Sequence, residues 1–196
     1  MSNQKPKRDV LFWSGGKDSF LALRYFQDES EDDPLLLTTY DDESGLVPHQ
    51  NIPIRRVQEQ AMHLGLILYT VPLSYPASND QYLETLNKSF ELLPYTINHL
   101  VFGDLHIADI RSWRERQFSE MGFKTRFPIW QKPYDELFDR LGEENVTVKI
   151  SGVMSEFDEY IKPGSLFNRN FADSLPDNID PMGEKGEFHT EVKFGF

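Results

Sequence analysis

Ser14-Gly15-Gly16-Lys17-Asp18-Ser19 places two glycines, two hydroxyls, an ammonium and a carboxylate in one short run. The glycines can take positive φ and let an anion approach the main chain with no Cβ in the way. Amides at a turn entering a helix point at such an anion, the serine hydroxyls add donors, and Lys17 adds a point charge. Asp18 fits beside a phosphate cradle in two ways, by binding Mg²⁺ that bridges the phosphates or by capping the new helix. The flanks agree, since the apolar residues 10–13 read as a strand and 20–26 as an amphipathic helix. A Walker A loop is excluded, because Asp18 rather than Ser or Thr follows Lys17 and Leu11 stands where its first glycine belongs.

Two further stretches carry chemistry. Gly103-Asp104 directly follows the strand-like residues 99–102, where open α/β sheets bind ligands. There Asp104 could hold Mg²⁺, orient a ribose or a substrate group, or simply cap the next helix. Near the carboxyl end, residues 180–190 gather Glu184, Glu187, His189 and Thr190 around Gly183 and Gly186. Such a loop can surround an ammonium with acceptors, ligate Mg²⁺ or offer His189 as a proton carrier, although taken alone it reads first as an exposed acidic turn. Arg111 and Glu115, four residues apart, read as a surface pair. Tyr82 and Glu84 open a helix near the site, and His49 reads as a surface residue of a loop.

Strand-like and helix-like segments alternate between these stretches, the signature of a parallel α/β sheet with helices on both faces. Strands are expected at 35–40, 66–73, 99–102 and 146–153, with residues 127–130 extended before Pro133 opens another helix. Helices are expected at 55–64, 80–93, 109–121 and 133–141, and residues 41–53 read as a loop overhanging the crevice. Residues 155–181 give no secure pattern. The expected division is a nucleotide-binding portion at 1–152 and a carboxy-terminal substrate-binding portion at 153–196.

Composition narrows the chemistry. The 196 residues contain no cysteine, which rules out disulfides, thiolate zinc sites, cysteine-ligated iron–sulfur clusters, a persulfide carrier and a cysteine-dependent glutaminase within this chain. A net charge of −12 argues against a broad nucleic-acid footprint, so no nucleic acid is expected as partner. No apolar run reaches the length of a membrane span, and residues 1–7 lack the apolar core of a signal peptide. The expectation is a soluble cytoplasmic protein, with a homo-oligomer left open.

Ser-Gly-Gly-x-Asp-Ser resembles the PP-loop of the N-type ATP pyrophosphatases, which cut ATP between its α and β phosphates. That loop, Gly103-Asp104 with Arg111 and Glu115, residues 127–130, and Gly183-Glu184-x-Gly-Glu-Phe-His-Thr occur in the order expected of the diphthine–ammonia ligase family. The resemblance covers about residues 10–192. It implies a Rossmann-like, HUP-type α/β/α sandwich with a five-stranded parallel sheet in the order 3-2-1-4-5 and a small carboxy-terminal substrate portion. It also implies AMP-forming amide synthesis, in which ATP adenylates a carboxylate, pyrophosphate leaves and ammonia displaces AMP. Under it, Ser14, Gly15, Gly16, Lys17, Asp18 and Ser19, with Tyr40, would hold the nucleotide, and Asp18 would carry Mg²⁺. Lys17, Asp18, Asp104, Glu184 and Glu187 would be the catalytic set. Tyr82, Arg111, Glu115, Glu184, Glu187, His189 and Thr190 would line the substrate side. Diphthine ligases tend to end the last motif with Tyr-Glu-Thr, whereas this chain has Phe188-His189-Thr190, which leaves the acceptor open. A PP-loop enzyme acting on tRNA and a non-catalytic ATP-binding module are the alternatives.

Overall fold

β1 (Lys7–Phe12) ends in residues that are apolar on both faces, with Val10 and Leu11 buried in two different cores, as a strand covered on both sides requires. The structure, a computed structural model, describes residues 5–195. Met1–Gln4, within the stretch read above as lacking a signal-peptide core, lie outside the described residues.

After β1 come α1 (Lys17–Glu29), β2 (Leu35–Asp41), the short β3 (Leu46–Val47) and β4 (Ile52–Pro53), α2 (Ile54–Leu64), β5 (Leu68–Leu73), α3 (Asn79–Leu92) and β6 (Thr96–Val101). α4 (Ala108–Glu120), β7 (Lys124–Arg126), α5 (Tyr134–Glu143), β8 (Val146–Val153), a 3-10 turn at Ser155–Phe157, α6 (Arg169–Asp173) and β9 (Phe188–Phe194) complete it. Five strands form one parallel sheet in the order β5-β2-β1-β6-β7. Counted along the chain within that sheet the order is 3-2-1-4-5, the Rossmann-like arrangement expected.

Alternate residues of the central strands feed opposite cores. Leu11, Leu36 and Val101 pack with Phe20, Leu23 and Phe26 of α1, Val57 and Ala61 of α2, and Leu137 and Leu141 of α5. Val10, Leu35, Leu37, Leu100 and Phe102 pack with Leu86 and Phe90 of α3 and Phe118 of α4. Helices therefore cover both faces, and the loops at the carboxyl ends of β1, β2 and β6 open together at one edge, where such sheets bind ligands.

Three expectations are corrected. The fifth parallel strand is β7, not residues 146–153, which pair antiparallel with β9 in a separate ribbon. β7 is three residues of Lys-Thr-Arg at the sheet edge, too short and polar to register as an apolar run. Residues 146–153 alternate Val146, Val148 and Ile150 with Thr147, Lys149 and Ser151, the period of a ribbon with one buried face rather than of a parallel strand. Residues 41–53 are likewise not wholly loop, since β3 and β4 pair within them, and residues 128–131 are a turn rather than extended. The ribbon packs into the core of α1, α2 and α5 through Val148, Ile150, Phe188, Val192 and Phe194.

Candidate functional site

The turn from β1 to α1 is built by close backbone approaches. Gly15 has φ of +81°, and a Cβ there would stand 2.8 Å from Gln60 Oε1, so both its conformation and its neighbours demand glycine. Gly103, just past β6, lies so near the first turn of α1 that a Cβ would meet the Asp18 carbonyl oxygen at 2.8 Å. Gly16 is the N-cap of α1, with no side chain closing it, which leaves the amides of the first turn for an external anion or another segment.

Another segment takes one of them. Lys17 N–H donates to Thr190 Oγ1 of β9 at 3.0 Å, and Val192 N–H donates to the Gly15 carbonyl at 2.9 Å. Gln60 of α2 ties the same pieces together: its amide nitrogen donates to the Gly15 and Val192 carbonyls at 3.0 and 2.7 Å, and its oxygen accepts from Trp13 Nε1 at 3.0 Å. Thus the carboxy-terminal ribbon is seated on the phosphate-type loop. Within the loop Ser19 Oγ donates to the Gly16 carbonyl at 2.9 Å, and Ser14 Oγ lies 3.2 Å from Ser19 Oγ.

Lys17 is almost fully buried, with its ammonium 2.9 Å from both carboxylate oxygens of Asp18 and over the rings of Phe167 and Phe188 at 5.5 and 5.8 Å. Asp18 is therefore an ion-pair partner that also faces the cleft, and it does not cap the helix. That cleft, of about 450 Å³, is lined by Ser14, Asp18 and Ser19, by Leu37, Thr38 and Thr39 of β2, by His49 and Gln50, and by Tyr82, Gly103, Asp104 and Arg114. Tyr40 is not among its lining residues; its neighbours Leu37 to Thr39 are.

Asp104 does not cap α4 either, since α4 starts at Ala108 after Ile107. Its carboxylate instead pairs with Arg114 at 2.9 Å. Burial raises the Asp104 carboxyl above the ordinary range, Arg114 pulls it back, and Asp18 pushes it up again. Tyr82 is held high by burial in the same way, with Arg114 opposing. Arg111 turns elsewhere: it pairs with Glu115 at 2.8 Å and stacks on Phe127 and Trp130 at 4.9 and 4.7 Å, outside the cleft lining.

The loop before β9 is organised by its own acids. Glu187 is buried, and its two oxygens accept from Asp180 N–H at 3.0 Å and Lys185 N–H at 2.9 Å. Asp180 accepts from Met182 N–H at 2.8 Å and from the Tyr134 hydroxyl at 2.8 Å. Glu184 reaches across instead, accepting from Leu105 and His106 N–H at 3.2 and 3.0 Å, next to Asp104. Burial raises its carboxyl, an effect the His106 amide opposes and the Asp18 charge reinforces. His189 is half-buried and pushed down to about 4 by burial, then by His49 and Lys17. The His49 ring lies 6.1 Å from it, on a turn where His49 has φ of 66°.

The sequence-derived residues thus gather in neighbouring places. Ser14, Asp18, Ser19, Tyr82 and Asp104 meet in the cleft, Lys17, His189 and Thr190 sit where β9 meets the phosphate-type loop, and Glu184 is held on the amides that follow Asp104. Arg111 and Glu115 stand apart, and Glu187 serves the loop backbone. Gln60 and Arg114 escaped the sequence reading. Gln60 was detectable as a lone amide on the apolar stripe Val57, Ala61, Leu64, and Arg114 lies one helical turn beyond Arg111.

Among the described residues no group of three or more His, Cys, Asp or Glu side chains is placed to hold a metal. Mg²⁺ needs no such cage, because one or two carboxylates and the phosphates suffice. Asp18 and the buried Asp104, whose Oδ2 meets the Arg114 guanidinium, fit that requirement. No helix among the described residues is long and apolar enough to cross a membrane.

The family profile described as diphthamide synthase N-terminal domain matches residues 7–125. No curated protein matches the chain. Among solved structures, the U34-tRNA thiolase NcsA from Methanococcus maripaludis, with its [4Fe-4S] cluster, is similar at 17% identity and a TM-score of 0.42. That match covers 69% of this chain, which spans 56% of the thiolase chain.

Proposed function

Because the chain belongs to the diphthamide synthase N-terminal domain family, and so carries an ATP pyrophosphatase domain of the PP-loop superfamily, we propose that it is an AMP-forming amide ligase. In this reading ATP adenylates an acceptor carboxylate, pyrophosphate leaves and ammonia displaces AMP. The observation that supports it is the seating of β9 on the loop, which brings the Glu184–Thr190 motif against Ser14–Ser19 through Thr190 and Val192.

Ser14, Ser19 and the first-turn amides of α1 hold phosphate oxygens at the cleft edge. Asp18, with Asp104 beside it, would hold Mg²⁺, which when bound offsets the charge on the departing pyrophosphate. Lys17 fixes the Asp18 carboxylate. Glu184, anchored on the amides after Asp104, holds ammonium and accepts its proton before attack, which a carboxyl raised by burial does more readily than an ordinary one. Glu187 and Thr190 position the loop and the helix start, residues 153–196 form the substrate side, and the acceptor is a carboxylate compound.

The test is transfer of ¹⁵N from ammonium into a fractionated metabolite pool, with ATP and Mg²⁺, by wild type, Lys17→Met and Ser14→Ala, each checked for folding by circular dichroism. Label entering an amide, one per AMP released, only with the loop intact, is the expected result. AMP and pyrophosphate formation without nitrogen transfer from any fraction would leave the pyrophosphatase and remove the ligase.

A further inference from the structure

Among the described residues three cations stand near the cleft, Lys17, Arg111 and Arg114, and each is already matched by an acid, Arg111 by Glu115 outside the lining. Lys17 belongs to Asp18 and to the Phe167 and Phe188 rings, and it is not among the lining residues. Among the described residues Arg114 is the only lysine or arginine in the lining of the cleft. Its guanidinium lies 4.4 Å over the Phe102 ring and pairs with Asp104 at 2.9 Å, and its side chain is 24% exposed.

We propose that Arg114 is the receptor in this cleft for phosphate oxygens of the incoming nucleotide, and that Asp104 occupies the place of that anion in the free protein. The inference rests on the nucleotide reading above. A protein of net charge −12 repels a polyphosphate at long range, so local cations decide binding. Arg114 shares the cleft with Ser14 and Ser19, the hydroxyls of the phosphate-type loop. Its stacked guanidinium is held in one orientation, so little is lost when it takes a charged acceptor. Its partner is a poor match: Asp104 is buried and faces the like charge of Asp18, and the 2.9 Å approach of Arg114 Nε to Asp104 Oδ2 is poorly aligned for a hydrogen bond. A phosphate oxygen arriving at that guanidinium gives it a better-aligned, more strongly charged acceptor. Asp104 is then released into the cleft beside Asp18.

The experiment is calorimetric titration of ATP, inorganic pyrophosphate and adenosine, with EDTA present, into wild type, Arg114→Gln, Arg114→Lys and Asp104→Asn. Arg169→Gln serves as a control for net charge, since Arg169 pairs with the exposed Asp135 and Asp139 and is not among the residues lining the cleft. Arg114→Gln is expected to weaken ATP and pyrophosphate at least about tenfold and adenosine less than about twofold. Arg114→Lys, which keeps charge without the fork, falls between. Asp104→Asn, which removes the competing anion, tightens both phosphate ligands. Unchanged ATP and pyrophosphate affinity in Arg114→Gln overturns the proposal, and so does an Asp104→Asn variant weakened as much as Arg114→Gln. Wild type that binds adenosine, ATP and pyrophosphate not at all overturns the nucleotide reading itself, a result distinct from either. Melting temperatures of the variants report folding, and Arg114→Lys carries the test where Arg114→Gln does not fold.

Discussion

Replacing Gln60 with Met tests whether the loop is held by α2 and β9 rather than by its own turn. Gln60 is 5% exposed, and its amide makes three hydrogen bonds, to Trp13, Gly15 and Val192. Met fills similar volume but leaves the indole N–H of Trp13, itself 1% exposed, without its acceptor, at a cost of about 1–3 kcal/mol. The Gly15 carbonyl keeps Val192 N–H as donor, and loss of the amide donation to the Val192 carbonyl adds about 1 kcal/mol. The expected destabilisation is about 2–4 kcal/mol, which in a domain of this size lowers Tm by roughly 5–15 °C. Urea titration followed by circular dichroism measures it, with an unchanged m-value assigning the loss to the folded state. A change below about 0.5 kcal/mol would show that the tether carries no stability and would refute the reasoning.

Gly103→Ala forces a Cβ against the backbone of Asp18 and Ser19, so it is expected to lose about 1–3 kcal/mol and to weaken ATP binding, both read by thermal shift with and without nucleotide. Thr190→Val removes the acceptor of the Lys17 amide and is expected to cost about 1–2 kcal/mol in urea titration, with Thr190→Ser near wild type. His189 has a folded pKa near 4 against an ordinary 6.5, so the unfolded chain takes up its proton first. Its contribution is therefore fully present above pH 6.5 and is lost as pH falls toward 4. The amount is at most about 3 kcal/mol, reduced by the solvent that reaches the half-buried ring. His189→Gln is expected to flatten that part of the stability profile, and an unchanged slope between wild type and variant would contradict it.

The parallel α/β class was legible because apolar strands alternate with amphipathic helices, while the strand order followed from the family resemblance rather than from the pattern. β7 was not, because an edge strand paired on one side needs no apolar run and three residues leave no period. The ribbon was written in the alternation of residues 146–153 and 188–194, but parallel and antiparallel partners look alike until the alternation is weighed against a continuous apolar run. At the site, residue types foretold the loop and Asp104 as cleft residues. They could not foretell that Glu187 binds the backbone of its own loop, or that Arg111 folds back onto Phe127 and Trp130. Those outcomes depend on which way a side chain leaves a turn or a helix. Arg114 was invisible for the same reason, since a three-residue step along α4 separates an arginine stacked outside the cleft from one lining it.

The most direct test of the central claim is ³¹P NMR of ATP turned over by wild type with Mg²⁺, ammonium and a cell-extract metabolite pool. Resonances of AMP and pyrophosphate growing together, and absent with Lys17→Met, are the result expected of cleavage between the α and β phosphates. ADP and inorganic phosphate in their place would contradict it.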